Sequence, residues 1–278
     1  PDDRDAHLVI KDVSYLSFSC DAPYLVEPSE TTQPVIGYQP GIEGIYPAEW
    51  AQVEQPGIFK DYRIAPVIFH PVRYDSDSNE LLLATRLEVE VQTLQPSSVN
   101  VKTIHKRTSD AFLPLYEALI DNLGEFNTAT PLVSESPRGK YLIFIDEDFQ
   151  SNYFLDLFVE WKRQLGYQVT IMPISSESVS KEEIKASIND EYTSDDLPLD
   201  YVLLIGDISG SLMIPAYTKV KPGGSGEQDV TDHTYTLIEG DDYFPDVLIG
   251  RISVNSEIEL ATVLNKTITY QRDPLLYG

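Results

Sequence analysis

Four carboxylates fall within eight residues in Glu239-Gly240-Asp241-Asp242-Tyr243-Phe244-Pro245-Asp246. Like charges this close repel unless water, a cation or an arginine compensates them. Carboxylate oxygens at such spacing suit Ca²⁺, which makes Asp241, Asp242 and Asp246 candidate metal ligands and Arg251 a candidate counter-charge. The spacing departs from the EF-hand loop, and a solvated acidic turn is the competing reading. No cofactor is required by any other feature, so Ca²⁺ is the single candidate.

Acids also cluster where strands should end. Asp146, Glu147 and Asp148 follow the apolar run Tyr141–Ile145, and Asp207 follows Tyr201–Ile205. In open α/β sheets ligands meet the carboxyl ends of strands, so these acids could hold a cation or accept a phosphoryl group. The same residues serve equally as caps of the helices that follow, and no strand-end lysine supports phosphoryl chemistry. The Gly-rich Lys221–Gly226 stretch lacks the Gly-Lys-Ser/Thr ending of a phosphate loop.

Nucleophilic catalysis finds little material. Cys20 is the single cysteine and shares strand parity with Leu16 and Phe18, which reads as a buried structural thiol. His233 is the one histidine of the second half, with no cysteine nearby in sequence to activate. No catalytic residue is therefore assigned. Lys102, His105, Lys106 and Arg107 form one basic cluster, either a salt-bridged edge or an exposed cleavage site.

The elements that must position these residues fall into two halves. The chain has 278 residues, 42% of them hydrophobic, enough for two packed domains. A net charge of −25 and the lack of a basic patch exclude nucleic acid as a partner. No apolar run approaches the roughly 18 residues that a membrane helix needs, so no membrane span is expected. The opening residues lack a basic and then apolar leader and carry no targeting information.

Residues 1–130 read as β. Alternating segments at His7–Cys20, Ala65–Tyr74 and Glu80–Thr93 are separated by Pro- and Gly-rich stretches, and Asp75–Asn79 supplies a hairpin turn. Leu81, Leu83, Leu87, Val89 and Val91 share one parity against Arg86, Glu88 and Glu90, so a β-sandwich-like domain is expected. Ser109–Asn122 carries Phe112, Leu115, Tyr116 and Leu119 at helical spacing, with Pro114 tolerable in a first turn.

After the Ser-, Thr- and Pro-rich Asn127–Gly139 linker the pattern becomes α/β, over 131–278. Strands are predicted at Tyr141–Ile145, Val169–Met172, Tyr201–Ile205 and Asp246–Ile249. Helices are predicted from Phe154, Leu157, Phe158, Trp161 and Leu165 on one face with Gly166 as the stop, after the Ser180/Glu183 capping box, and after Ser256/Glu259. Four strands and three helices imply a parallel sheet.

With this order in view, the second half resembles the first part of the catalytic region of gingipain-type cysteine peptidases, of the caspase-like clan. The matching strings are Lys140–Ile145, Trp161-Lys162, Gly166–Val169, Tyr201–Asp207, Ile214-Pro215, Asp232–Tyr235, Gly240–Asp246 and Ile249–Arg251, with Lys266 and Tyr270 in the last helix. The first half resembles the pro-domain of that family through Pro66–Tyr74, Leu87–Val91 and Ser109–Phe112.

The resemblance implies the N-terminal part of a secreted or cell-surface zymogen, calcium-stabilised in some members, whose pro-domain shields the active site until cut. Its partners would be the C-terminal catalytic subdomain of the same polypeptide and protein or peptide substrates. The catalytic His and Cys of that family lie beyond the helix that ends near Gly278, so the 278-residue chain is expected to be inactive as an enzyme. Arg107 and Arg138 become candidate processing sites. The alternative is a non-catalytic acidic binding module that uses strand-end carboxylates for a cation or ligand. An incomplete peptidase should leave a sheet edge unpaired; a complete binder should not.

Overall fold

The computed structural model describes residues 3–20, 43–126, 137–220 and 228–274. The chain forms two compact units. The first is β-rich. It contains β1 (Arg4–Ser19), β2 (Ile45–Tyr46), β3 (Ala51–Val53), the stem of a hairpin made by β4 (Gly57–Phe59) and β5 (Tyr62–Ile64), then β6 (Val67–Phe69), β7 (Val72–Asp75) and β8 (Glu80–Pro96).

The main sheet is antiparallel in the order β1-β8-β7-β2, and β3 pairs with β6. The Asp75–Asn79 turn forms as expected. Asp75 Oδ1 accepts the Asp77 amide at 2.9 Å and Asn79 takes a left-handed φ of 54°, a conformation that Asn tolerates. The long β1–β8 pair carries register shifts at three places. The shift between Ser14 and Tyr15 puts an extra residue, Thr85, into β8 and moves the side chains before it to the other face, so Leu82 rather than Leu83 is buried; Val91 is exposed as well. The simple parity read from sequence holds at Leu81, Leu87 and Val89, which are partly covered, and fails at Leu83 and Val91.

The second unit comprises Ile58–Tyr62, Lys102–Thr218 and Val230–Gly278. It holds α1 (Leu113–Leu119), α2 (Leu123–Phe126), β9 (Lys140–Asp146), α3 (Tyr153–Gln164), β10 (Gln168–Ile174), α4 (Lys181–Thr193) and β11 (Leu199–Ile205). β12 (Tyr217–Val220) and β13 (Gln228–Thr231) pair with each other and are divided between the units, Lys219, Val220, Gln228 and Asp229 falling in the first; β14 (Leu248–Ile252) and α5 (Glu257–Arg272) complete the second. Pro114 sits in the first turn of α1, where its missing N–H costs nothing.

The sheet is wholly parallel, in the order β10-β9-β11-β14. Because strand side chains alternate between faces, Ile143, Ile145, Leu203 and Ile205 pack with α3 and α5 through Leu155, Phe158, Leu260 and Leu264. Leu142, Phe144, Val202 and Leu204 pack with α4 through Ile184, Ile188 and Tyr192. Burial on both faces is what a continuous apolar strand requires, and each such side chain contributes roughly 1.5–3 kcal/mol.

Local signals start and stop the helices. Asn152 Oδ1 accepts the Phe154 and Leu155 amides, Ser180 and Glu183 complete a capping box, and Ser256 accepts from Glu259. After α3, Gly166 takes a φ of 95°, which only glycine adopts without strain. The last strand begins two residues later than expected. Asp246 stands before β14 because its carboxylate turns back onto the preceding loop instead of joining the ladder. Among the described residues β14 pairs only with β11 and forms one edge of the sheet.

Candidate functional site

The acidic turn before β14 is not a uniform cluster. Asp246 is fully buried, and its Oδ2 accepts the Ile238 and Glu239 amides at 2.7 and 2.8 Å. Its Oδ1 has no hydrogen-bond partner among the described residues. Burial pushes its carboxyl up to about 7, against the pull of the two amides. Asp242 spends Oδ1 on the Phe244 amide and Oδ2 on the Ile58 amide, at 2.8 and 2.7 Å. Asp241 is exposed.

Among the described residues no group of three or more His, Cys, Asp or Glu side chains is gathered as a metal cage. The fourth acid, Glu239, is buried against Lys102, with Nζ to Oε2 at 2.9 Å, and its Oε1 also accepts the Thr103 and Ile104 amides. Compensation therefore comes from a lysine 137 residues away in sequence.

Arg251 does not serve the acidic turn, which corrects the sequence reading. Its guanidinium forks onto Asp232, Nε to Oδ2 at 2.8 Å and Nη2 to Oδ1 at 2.7 Å. Nη1 donates to the carbonyls of Gly206 and Ile214 at 3.0 and 2.9 Å. This geometry uses the planar donor fork that only arginine offers and ties the loop after β11 to the loop that bears Asp232 and His233.

Of the strand-end acids, Asp146 is a cap. Asp146 Oδ1 accepts the Asp148 amide and Oδ2 the Ser176 amide, so β9 and β10 are joined at their carboxyl ends. Burial opposes ionisation of Asp146, but the bonds from Ser176 and Asp148 prevail and hold its carboxyl below the usual range. Glu147 and Asp148 sit exposed in the single 3₁₀ turn that follows. Asp207 Oδ1 accepts the Ile208 amide and Oδ2 accepts from Asn255 Nδ2 at 3.2 Å.

Cys20 lies just after β1 and is half-buried. Leu16 and Phe18 of its strand are about half exposed, so the expected buried thiol is corrected. His233 Nε2 lies 3.0 Å from the Tyr243 carbonyl and Nδ1 3.3 Å from Thr236 Oγ1, an arrangement that fixes a loop. The Lys221–Gly226 stretch lies outside the described residues, as does most of the linker up to residue 136.

The basic cluster splits among different tasks. Lys102 is buried on Glu239, and Lys106 Nζ donates to the Asp195 carbonyl. Arg107 Nη2 donates to the Pro137 carbonyl at 2.6 Å and to that of Arg138. The Arg107-Thr108 bond lies exposed in irregular chain. Arg138 also has an exposed side chain, over the Tyr167 ring, but its amide donates to Gly166 and the next residue, Gly139, is buried. A Cβ on Gly139 would lie 2.0 Å from Asp200 Oδ2.

Two buried groups escaped the sequence reading. Asp200, fully buried at the start of β11, accepts Ser109 Oγ at 2.6 Å, and burial pushes its carboxyl up to about 6. Lys60, at the tip of the β4–β5 hairpin, is 2% exposed and donates to the Leu199 carbonyl at 2.5 Å. Burial pulls its ammonium down to about 8. An aromatic cluster of Phe59, Phe112, Tyr116 and Phe244 surrounds the tip. The one sequence hint was a lysine-acid pair in a two-residue turn between short apolar runs.

A β-rich unit followed by a parallel α/β unit with helices on both faces, of the caspase-like kind, matches the order of a pro-domain and a peptidase domain. The family model described as Peptidase family C25 matches residues 134–277, and that of its propeptide, Propeptide_C25, matches residues 30–120. The chain belongs to peptidase family C25.

Among curated relatives, Gingipain R2 of Porphyromonas gingivalis is 28% identical over 242 residues, covering 86% of this chain and 31% of the relative. Gingipain R1 of Porphyromonas gingivalis is 30% identical over 230 residues, covering 82% of this chain and 22% of the relative. The chain thus spans less than a third of the length of these relatives. A crystal structure of the Arg-specific cysteine proteinase gingipain R is similar at 32% identity and a TM-score of 0.42, with 52% of this chain and 31% of that chain covered. No described helix is long and apolar enough to cross a membrane.

Proposed function

We propose that this chain is the N-terminal part of a secreted gingipain-like cysteine endopeptidase zymogen, with a pro-domain over 1–130 and the first, non-catalytic subdomain over 131–278. One observation carries the reading: the propeptide and peptidase models match in that order, while the single cysteine, Cys20, lies before both matched stretches. The thiolate and imidazole that would attack and protonate a peptide bond belong to a following subdomain of the same polypeptide. The edge strand β14 is where that subdomain is expected to continue the structure. Incubating the 278-residue chain with peptide substrates, with and without a thiol-alkylating reagent, should show no hydrolysis. Thiol-sensitive turnover would overturn the reading.

Processing is proposed at Arg107 rather than Arg138. A protease needs an accessible, locally yielding segment, which the exposed Arg107-Thr108 bond offers and the buried Gly139 does not. Trypsin, which cleaves after arginine, should cut the folded chain at Arg107 well before Arg138, as read by mass spectrometry. Prior cutting at Arg138 would reverse the assignment.

Calcium is proposed to bind the turn carrying Asp241, Asp242 and Asp246. What supports it is the partnerless buried Oδ1 of Asp246, a site that a cation would satisfy. Asp242 would first have to release the Ile58 amide. Calorimetric titration with CaCl₂ that yields no heat would remove this proposal.

A further inference from the structure

Lysine is among the residues least often fully buried, yet Lys60 is sealed inside the α/β unit by a tip that contributes two fully apolar neighbours, Ile58 and Phe59. Its ammonium is met on three sides. The Leu199 carbonyl accepts from Nζ at 2.5 Å, the Tyr192 ring lies 4.8 Å below, and the Phe112 ring lies 5.5 Å away. The negative faces of aromatic rings attract a desolvated cation. Burial is the largest influence and disfavours the ammonium; the carboxylates of Asp200, Asp61 and Asp246 offset part of that cost, and Lys106 adds to it. Lys60 itself holds a left-handed φ of 54°, a conformation costly for a side chain of this size. The sequence thus tolerates both backbone strain and a buried charge to place an ammonium at this point.

We propose that the α/β unit contains a lysine socket, a site for a primary alkylammonium side chain, which the hairpin tip fills in cis through Lys60. The socket is formed by the Leu199 carbonyl, the Tyr192 and Phe112 rings and the Asp200 carboxylate. This deepens the zymogen reading and rests on it in one respect: the hairpin belongs to the stretch matched by the propeptide model, so the socket is the feature by which the peptidase part recognises its own pro-segment.

An apolar plug would behave differently. If only burial mattered, methionine, of similar length and without charge, would hold the tip as well as lysine or better. In a lysine socket it leaves the Leu199 carbonyl unpaired and the carboxylates uncompensated.

The test uses chemical rescue in the full 278-residue chain. Lys60→Ala removes the side chain beyond Cβ, a piece that n-propylammonium replaces atom for atom. Hydrogen exchange at amides 58–62 should accelerate at least tenfold in Lys60→Ala and in Lys60→Met, with β9 and β11 still protected. In Lys60→Ala, 100 mM n-propylammonium chloride should restore at least threefold protection. Tetramethylammonium chloride, which has no N–H donor, and n-propanol, which has no charge, should not. Lys60→Met should show no rescue.

Equal rescue by all three additives, no rescue by any, or full protection in Lys60→Met would overturn the proposal. Should Lys60→Ala fail to fold, Tyr192→Leu is read in its place. Tenfold loss of protection at the tip with the sheet intact supports the socket, and unchanged protection refutes it. Failure here leaves the zymogen reading standing, because that reading is decided by peptide hydrolysis and processing and not by this contact.

Discussion

Arg251 holds Asp232 with two parallel hydrogen bonds, 2.8 and 2.7 Å long, while the same guanidinium donates to the Gly206 and Ile214 carbonyls. One side chain on β14 thereby organises the loops at the carboxyl end of the sheet, where strand-end chemistry would occur in this class of fold.

Removing that guanidinium should be costly because it strands a carboxylate and two carbonyls together. Arg251→Ala is expected to destabilise the chain by roughly 3 kcal/mol, the lower end for breaking a buried pair. Arg251→Lys should recover less than half, since an ammonium cannot reproduce the fork. Urea denaturation of the three proteins gives the comparison.

Lys102 and Glu239 form a second pair, more deeply buried, with side chains 3% and 6% exposed. Glu239→Gln keeps an acceptor for the Thr103 and Ile104 amides but leaves Lys102 uncompensated, at a cost of about 3–5 kcal/mol. The double variant Lys102→Met/Glu239→Gln should be more stable than Glu239→Gln alone. A double-mutant cycle with no coupling would refute this account.

Gly139 is present because Asp200 leaves no room for a Cβ. Gly139→Ala should lose about 1–3 kcal/mol through overpacking, and Asp200→Ala in that background should return part of it. Thermal unfolding of the single and double variants reads the interaction directly.

The pH dependence follows from Asp200. Its carboxyl, raised by burial from 3.8 to about 6, binds a proton more tightly in the folded chain than in the unfolded one. Stability from this group is complete below about pH 4 and is lost as pH rises through about 6. Asp200→Asn should therefore flatten the decline in unfolding free energy between pH 4 and 6, measured by denaturant titration at each pH. An unchanged slope would refute the assignment. Lys60, lowered to about 8, works in the other range: its contribution grows as pH rises from about 8 towards 10.5.

Much of the α/β half was legible because its signals are local. The Ser180/Glu183 capping box, Gly166 after α3 and the apolar run Tyr201–Ile205 each fix a piece of backbone through neighbours a few residues away. The β-half was read less sharply. Register shifts in β1–β8 exchange Leu82 for Leu83 on the buried face, and alternation alone cannot locate such shifts.

What the sequence determined by itself was the order of elements, the family to which that order belongs and the capping role open to Asp146, since periodicity and caps act over one or two turns of chain. Only the tertiary structure decided which charges meet. Arg251 turned to Asp232 and not to the acidic turn, Lys102 found Glu239, and Lys60 became buried on Leu199. Those pairings join residues from 19 to 139 positions apart. They are chosen by burial, which makes an uncompensated charge expensive wherever the fold happens to enclose it.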